Sequence, residues 1–172
     1  MQIIPAIDLK DNNCVRLTRG KDDTSVVFNK DPEKQANYFQ EIGCKKIHIV
    51  DLDAAFGRPD INLSSIKKIR KSISIPIQLG GGIRKKEDAE KYFDLGIENL
   101  IIGSLSIKEP ETINSLSNYY EKKIYVSLDL ENNNVMVKGW SEKSHLDIDE
   151  ILKIYDEINI KGYVVTDITN DG

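Results

Sequence analysis

The sequence predicts an α/β protein built as a (β/α) barrel, and two observations support that prediction. Short apolar runs rich in β-branched residues alternate with helical patterns across short links, which is typical of a parallel sheet with helical crossovers. Polar or glycine residues lie at or just after the carboxyl ends of the strands. In a barrel these ends form one rim that holds the active site, whereas a flat doubly wound sheet binds its ligand at one switch point. These positions are Asp8, Asp51, the glycines at 80–82, Ser104, Asp129 and Thr166.

The elements follow from local signals. Asp31, Pro32 and Glu33 supply an N-cap, a first-turn proline and a first-turn acid, and Gly43 ends that helix. We predict loops at 18–30 and 54–60. The predicted strands span 3–9, 47–53, 75–80, 99–103, 123–130 and 162–168, with short return strands at 14–17 and 135–137. The predicted helices span 32–42, 62–72, 85–95, 109–116 and 148–158.

An internal repeat supports the barrel. Residues 7–15 (IDLKDNNCV) align with 128–136 (LDLENNNVM), and each copy reads as a strand, a terminal aspartate, an Asn-rich turn and a return strand. More loosely, 50–53 matches 166–169. The sequence therefore predicts a TIM (β/α)8 barrel of duplicated half-barrel type, with copies starting near residue 1 and near 122. We expect one domain, 1–172, with about six of the eight βα units, incomplete at the C-terminus, and the first and sixth strands as edges of the parallel sheet.

Composition narrows the classes of partner. The net charge is -4 and charges of both signs are mixed along the chain, which argues against a nucleic-acid partner. No apolar run approaches the roughly 18 residues of a membrane span, and the first residues lack the pattern of a signal peptide. Cys14 and Cys44 have no metal-ligand spacing and are expected to be buried thiols, so we expect a cytoplasmic protein.

Glycines after two neighbouring strands predict a phosphate site. The third strand runs into three consecutive glycines, Gly80, Gly81 and Gly82, and then into a helix. Backbone N–H groups can approach an anion there, and the helix N-terminus adds partial positive charge. Gly103 and Ser104 follow the next strand. A tight turn without a ligand is the alternative for the triple glycine alone, but two adjacent loops with donors favour phosphate.

The carboxylates at repeat-related strand ends suit acid/base chemistry. Asp8 and Asp129 would face each other across a barrel mouth, where one could take a proton and the other give one. The alternative is that each aspartate caps its own turn. A metal site is less favoured, because no His or Cys accompanies the aspartates and their spacing matches no metal motif. His48 and His145 are expected to be structural.

Six motifs together resemble one family, and they run through the whole chain in order. They are 4–9 (IPAIDL), 50–57 (VDLDAAFG), 80–84 (GGGIR), 102–104 (IGS), 137–140 (VKGW) and 166–172 (TDITNDG). On these motifs the chain resembles the HisA family, the phosphoribosylformimino-5-aminoimidazole carboxamide ribotide (ProFAR) isomerases of histidine biosynthesis. The cyclase subunit of imidazole glycerol phosphate synthase is similar in its repeat and both aspartates. It typically has Cys-Leu-Asp-Val at the positions of 6–9 and lacks the VKGW segment, so the isomerase fits better.

The resemblance implies an Amadori rearrangement of a bisphosphorylated ribosyl aminoaldose to the aminoketose, without cofactor or metal. Asp8 then corresponds to the base, either Asp129 or Asp171 to the acid, and Thr166 to a residue that assists by hydrogen bonding. Trp140 corresponds to an aromatic that stacks on the substrate's imidazole, although a loop anchor remains the alternative. The other implied substrate contacts are Arg19 and Arg84, with Gly81, Gly82, Gly103 and Ser104 holding one phosphate.

Other functions stay open at this stage. The cyclase is the enzymatic alternative, and a non-catalytic phosphosugar-binding half-barrel module is the other. A related isomerase of tryptophan biosynthesis shares the fold and the chemical step, so the sequence leaves dual specificity open. No obligate protein partner is predicted.

Overall fold

A computed structural model describes residues 1–18, 20–132 and 134–170 as a single curled sheet with helices packed on its outer face. The strands of this part of the chain are β1 (Ala6–Lys10), β2 (Asn13–Thr18), β3 (Lys21–Asn29), β4 (Ile47–Asp51), β5 (Ile77–Gly80), β6 (Asn99–Ile102), β7 (Ile124–Glu131), β8 (Asn134–Val137), β9 (Glu142–Lys143) and β10 (Gly162–Asp167). The helices are α1 (Pro32–Glu41), α2 (Leu52–Ala55), α3 (Leu63–Ser72), α4 (Lys86–Asp94), α5 (Ser104–Lys108), α6 (Pro110–Tyr119) and α7 (Ile148–Tyr155).

The parallel part of the sheet has the strand order β1-β4-β5-β6-β7-β10. Sequential strands are neighbours and are joined through helices, which is the arrangement of a (β/α) barrel wall. The predicted α/β alternation and the partial TIM-barrel architecture are therefore confirmed.

Two hairpins sit at equivalent places in this sheet. In β1–β2, Asp8 pairs with Val15, and in β7–β8, Asp129 pairs with Met136. The two hairpins thus share one antiparallel register at the positions that the sequence repeat aligns. β1 and β10 are the two ends of the parallel order, as expected, although the second half of β1 also pairs with the antiparallel strand β2, and β3 pairs with β2.

The predicted loop at 18–30 is wrong over most of its length, because β3 occupies Lys21–Asn29. Val26, Val27 and Phe28 have high strand propensity, yet all three are exposed and give no alternating buried pattern. Pairing with β2 supplies the hydrogen bonds that make this segment a strand. That long-range pairing is invisible in local periodicity.

The segment after β4 also differs from the prediction. The strand ends at Asp51 rather than Asp53, and α2 follows at once, with the Asp51 carboxylate accepting a hydrogen bond from the Ala54 N–H at 3.1 Å. A further short helix, α5, lies in the predicted link after β6, and α7 ends at Tyr155 rather than at residue 158.

The predicted cap of the first long helix is confirmed. The Asp31 side chain accepts a hydrogen bond from the Lys34 N–H at 3.0 Å, and Pro32 opens α1. Gly43 follows the helix with φ +92°, a conformation that glycine adopts without strain.

The core lies between the outer face of the sheet and the helices. Cys14 is part of this core, and burial raises the pKa of its thiol to about 11, whereas Cys44 is partly exposed and not buried as expected. Within the described residues, no helix combines the length and apolar character needed to cross a membrane. The fully buried members of the core include Ile7, Leu9, Ile47, Ile49, Ile66, Ile69, Ile77, Leu79, Leu100, Ile102, Ile113 and Leu116.

Candidate active site

A cleft of about 630 Å³ lies at the carboxyl ends of the parallel strands. Its wall includes ends or following residues of β4, β5, β6, β7 and β10, the rim where a (β/α) barrel carries its chemistry. The residues that line it are Gly20, His48, Val50, Leu52, Ala55, Phe56, Gly80, Gly81, Gly82, Ile83, Arg84, Ile101, Gly103, Ser104, Leu105, Lys108, Glu109, Ser127, Asp129, Lys138, Gly139, Trp140, Val164 and Thr166.

The glycines after β5 are required for packing as well as for access to the cleft. Gly81 and Gly82 have φ of +102° and +70°. A Cβ on Gly81 would lie 2.9 Å from the backbone nitrogen of Asp51, and one on Gly82 would lie 2.6 Å from the carbonyl oxygen of Ala54. The loop therefore lies directly against α2, and a tight turn accounts for these glycines whether or not a phosphate binds beside them.

The loop after β6 contacts the loop after β8. The Ser104 hydroxyl accepts a hydrogen bond from the Lys138 N–H at 2.7 Å, and Gly103 precedes it on the cleft wall. Because the hydroxyl oxygen accepts this bond through one lone pair, its own proton can still donate to an anion in the cleft.

Asp129 and Thr166 are direct neighbours on adjacent parallel strands. They are paired in the register of β7 and β10, and both line the cleft. The Ser127 hydroxyl, two residues earlier on the same face, donates to Asp129 Oδ1 at 3.1 Å.

Asp8 lies at the middle of its strand, but it is not among the described residues that line the cleft. It is partly buried on β1 and is paired with Val50 of β4, which does line the cleft. The structure thus brings Asp129, Thr166, Ser104 and the glycines together, with Asp8 one strand beyond the wall.

Arg84 and Trp140 both line the cleft, as expected for substrate contacts. The Arg84 guanidinium is exposed and donates to the carbonyl of Ala55 at 2.9 Å. Trp140 is partly buried and has φ +69°, unusual for a residue with a side chain. Lys108 and Lys138 add positive charge to the same cleft.

His48 was interpreted as structural from the sequence, yet it lies on the cleft wall. Burial and the nearby Lys46 ammonium lower the pKa of its imidazole to about 4, so the ring is neutral at pH 7. Alternation along β4 could have revealed it, because His48 and Val50 share the inner face while Ile47 and Ile49 point to the helices. Ser127, Lys108 and Lys138 were likewise missed. Lys138 lies within the VKGW motif, whereas no motif indicated Ser127 or Lys108.

The other strand-end carboxylates have structural roles. Asp51 and Asp53 are almost fully buried and both accept hydrogen bonds from the Asn62 amide, at 2.8 and 3.0 Å. Arg58 donates to Asp53 at 2.9 Å. Among the described residues, no group of three or more His, Cys, Asp or Glu side chains could hold a metal ion.

Two predicted site residues, Arg19 and Asp171, lie outside the described residues.

Comparison with known proteins identifies the family. The family model described as "Histidine biosynthesis protein" matches residues 2–172. The chain belongs to this family. Its resemblance to that family, inferred from six motifs, is thus confirmed.

Two relatives within the histidine biosynthesis family come from Prochlorococcus marinus. Both are named 1-(5-phosphoribosyl)-5-((5-phosphoribosylamino)methylideneamino)imidazole-4-carboxamide isomerase. The protein of strain NATL2A is 42% identical over 172 residues, which is 100% of this chain and 67% of the relative. The protein of strain MIT 9301 is 44% identical over the same residues, which is 68% of its length.

Proposed function

We propose that this chain forms the catalytic cleft of an isomerase that converts a bisphosphorylated ribosyl aminoaldose into the aminoketose of histidine biosynthesis. One observation carries the proposal: a single cleft at the strand ends is lined by Asp129, Thr166, Trp140 and two glycine loops. One strand-end carboxylate, a stacking ring and anion-binding groups therefore face one space. The chain covers about two thirds of the length of its isomerase relatives.

The relatives' name describes a substrate with two phosphoribosyl groups on an imidazole carboxamide. Backbone N–H groups near Gly81, Gly82 and Gly103, with the Ser104 hydroxyl, would hold one phosphate. Lys108, which also lines the cleft, would add a screened charge to the same site.

The aspartates would move the protons. An acid protonates the ribose ring oxygen, the C1–O bond breaks and the adjacent nitrogen lone pair forms a Schiff base. A base then takes the C2 proton, and the released electron pair forms an enolamine that tautomerises to the ketose. We assign the base to Asp8 and the acid to Asp129 or Asp171, with Thr166 hydrogen-bonding beside Asp129. No net oxidation occurs, so the residues' proton transfers suffice.

The cyclase is not favoured, because the reported relatives carry the isomerase name. A purely binding module stays distinguishable by experiment, since it would hold a bisphosphorylated ligand without turnover.

The test is turnover of the phosphoribosyl aminoaldose, followed by absorbance. It should be run on this chain and on a chimera extended to full length with the C-terminal part of a Prochlorococcus relative. In whichever protein is active, Asp8→Asn should lower kcat by a factor of about 10²–10⁴, and so should either Asp129→Asn or Asp171→Asn, whichever of the two removes the acid.

Asp167→Asn is the matched control, because Asp167 also ends β10 but is fully exposed and hydrogen-bonds Thr169 and Asn170. It should leave kcat nearly unchanged. Turnover of the aminoketose with ammonia in place of isomerisation would favour the cyclase, and ligand binding without any turnover would favour the module.

A further inference from the structure

Gly20 and Trp140 touch at the mouth of the cleft, although they are far apart in the chain. Gly20 immediately precedes β3, and Trp140 lies in the turn between β8 and β9. Both residues line the cleft. This contact joins two loops that belong to different copies of the repeat.

Only glycine fits at position 20 while Trp140 keeps its place. A Cβ built on Gly20 would lie 2.6 Å from the indole Cε3 and closer still to Cζ3. Real Cβ atoms do not approach ring carbons this closely, so any side chain would displace the rigid indole. Gly20 also has φ +65°, which adds a backbone preference for glycine.

The turn that carries Trp140 is not held by its own backbone preference. Lys138, Gly139 and Trp140 all have positive φ, at 54°, 63° and 69°. For residues with side chains this conformation costs about 1–2 kcal/mol each, so surrounding contacts must maintain it. Such contacts are the Lys138 N–H bond to Ser104, the Ser141 hydroxyl bond to the Lys138 carbonyl and the packing of the indole on Gly20.

We propose that Gly20 is a positioning residue that seats the Trp140 indole, so that the ring forms a wall of the cleft for an aromatic heterocycle of the substrate. That Gly20 positions the indole follows from their contact alone, whereas the effect on substrate binding rests on the proposed function. Gly20 acts through Trp140 and does not take part in the chemistry.

The chain offers a direct probe, because Trp140 is its only tryptophan. Intrinsic fluorescence of the ligand-free protein therefore reports on this ring and needs no turnover. Gly20→Ala should shift the emission maximum to the red and raise the acrylamide quenching constant, because the displaced indole enters solvent.

Gly57→Ala is the matched control. Gly57 has φ +87°, so alanine suffers a similar backbone strain, but nothing lies within 4 Å of the added Cβ. Its emission and quenching should equal those of the unmodified chain. A folded Gly20→Ala protein with unchanged emission and quenching overturns the proposal, and so does an equal shift in Gly57→Ala.

A double-mutant cycle covers the case in which Gly20→Ala unfolds the protein. In a Trp140→Ala background the clash is gone, so Gly20→Ala should lower the unfolding midpoint in urea clearly less than it does beside Trp140. If Gly20→Ala lowers the unfolding midpoint equally in both backgrounds, the proposal that Gly20 positions Trp140 is wrong.

In an active protein, Gly20→Ala should raise KM by roughly two- to tenfold with a smaller change in kcat, the size of one lost aromatic contact. If the fluorescence responds as expected in a protein without isomerase activity, Gly20 still positions the Trp140 indole and only the proposed function is rejected. A response in fluorescence with unchanged KM in an active protein would reject the effect on substrate.

Discussion

Strand-end aspartates that look alike in the sequence have different surroundings. Asp51 is 1% exposed and accepts hydrogen bonds from Asn62, Ala54 and Tyr92, and burial raises the pKa of its carboxyl. Asp129 lines the cleft beside Ser127 and Thr166. The first stabilises a turn, and only the second lies on the wall of the cleft.

His48 provides a test at the scale of one residue. The pKa of its imidazole is about 4 in the fold and about 6.5 in the unfolded chain, so the unfolded chain binds more protons between these values. The free energy of unfolding should therefore fall as pH drops from about 6.5 to about 4, by about 3 kcal/mol more than in His48→Gln. Urea denaturation at several pH values measures this difference.

His145→Gln controls for the removal of a histidine, since His145 is exposed and is the chain's only other histidine. The free energy of unfolding of His145→Gln should depend on pH as steeply as that of the unmodified chain. If His48→Gln shows the same dependence of the unfolding free energy on pH as the unmodified protein, the lowered pKa of the His48 imidazole is wrong.

At the scale of elements, Asn62 connects three segments beneath the cleft. Its side-chain amide donates to Leu9 O, Asp51 Oδ1 and Asp53 Oδ2, and its oxygen accepts from the Asn12 N–H at 2.8 Å. The residue is fully buried. It ties the end of β1 and its turn to α2, on which the glycine loop packs.

Asn62→Ala should lower the free energy of unfolding by about 3 kcal/mol, because two buried carboxylates each lose a hydrogen bond and the Asn12 N–H loses its acceptor. Chemical denaturation provides the measurement. Asn37→Ala is the control, since Asn37 is partly buried and makes one bond to its own helix, to Glu33 O. A loss below 1 kcal/mol for Asn62→Ala, or equal losses for the two variants, would contradict the role of Asn62.

At the scale of the whole molecule, the strands at the centre of the sheet are buried, and β3 at one margin is mostly exposed. All four residues of β5 and all four of β6 are buried, and each strand has a parallel neighbour on both sides. At one margin, β3 is mostly exposed and pairs only with β2 among the described strands.

Amide hydrogen exchange should be slow in the buried central strands and fast in the exposed strand β3. The amides of Leu79 and Ile101 should exchange only through global unfolding, and those of β3 through local opening, orders of magnitude faster. Mass spectrometry of peptides from 77–80, 99–102 and 21–29 measures the difference. Slow exchange throughout β3 would show that the hairpin belongs to the cooperative core.

The sequence alone determined the alternation of strands and helices, the cap of α1, the strand-end positions of Asp129 and Thr166 and the two glycine loops. These features depend on residues within a few positions of one another, through period, capping and turn chemistry. Tertiary structure decided that 21–29 is a strand, that Asp51 is buried while Asp129 faces the cleft, that His48 lines it, and that Trp140 rests on Gly20. Each of these depends on strand pairing or sheet curvature that joins distant segments, and no local pattern records that.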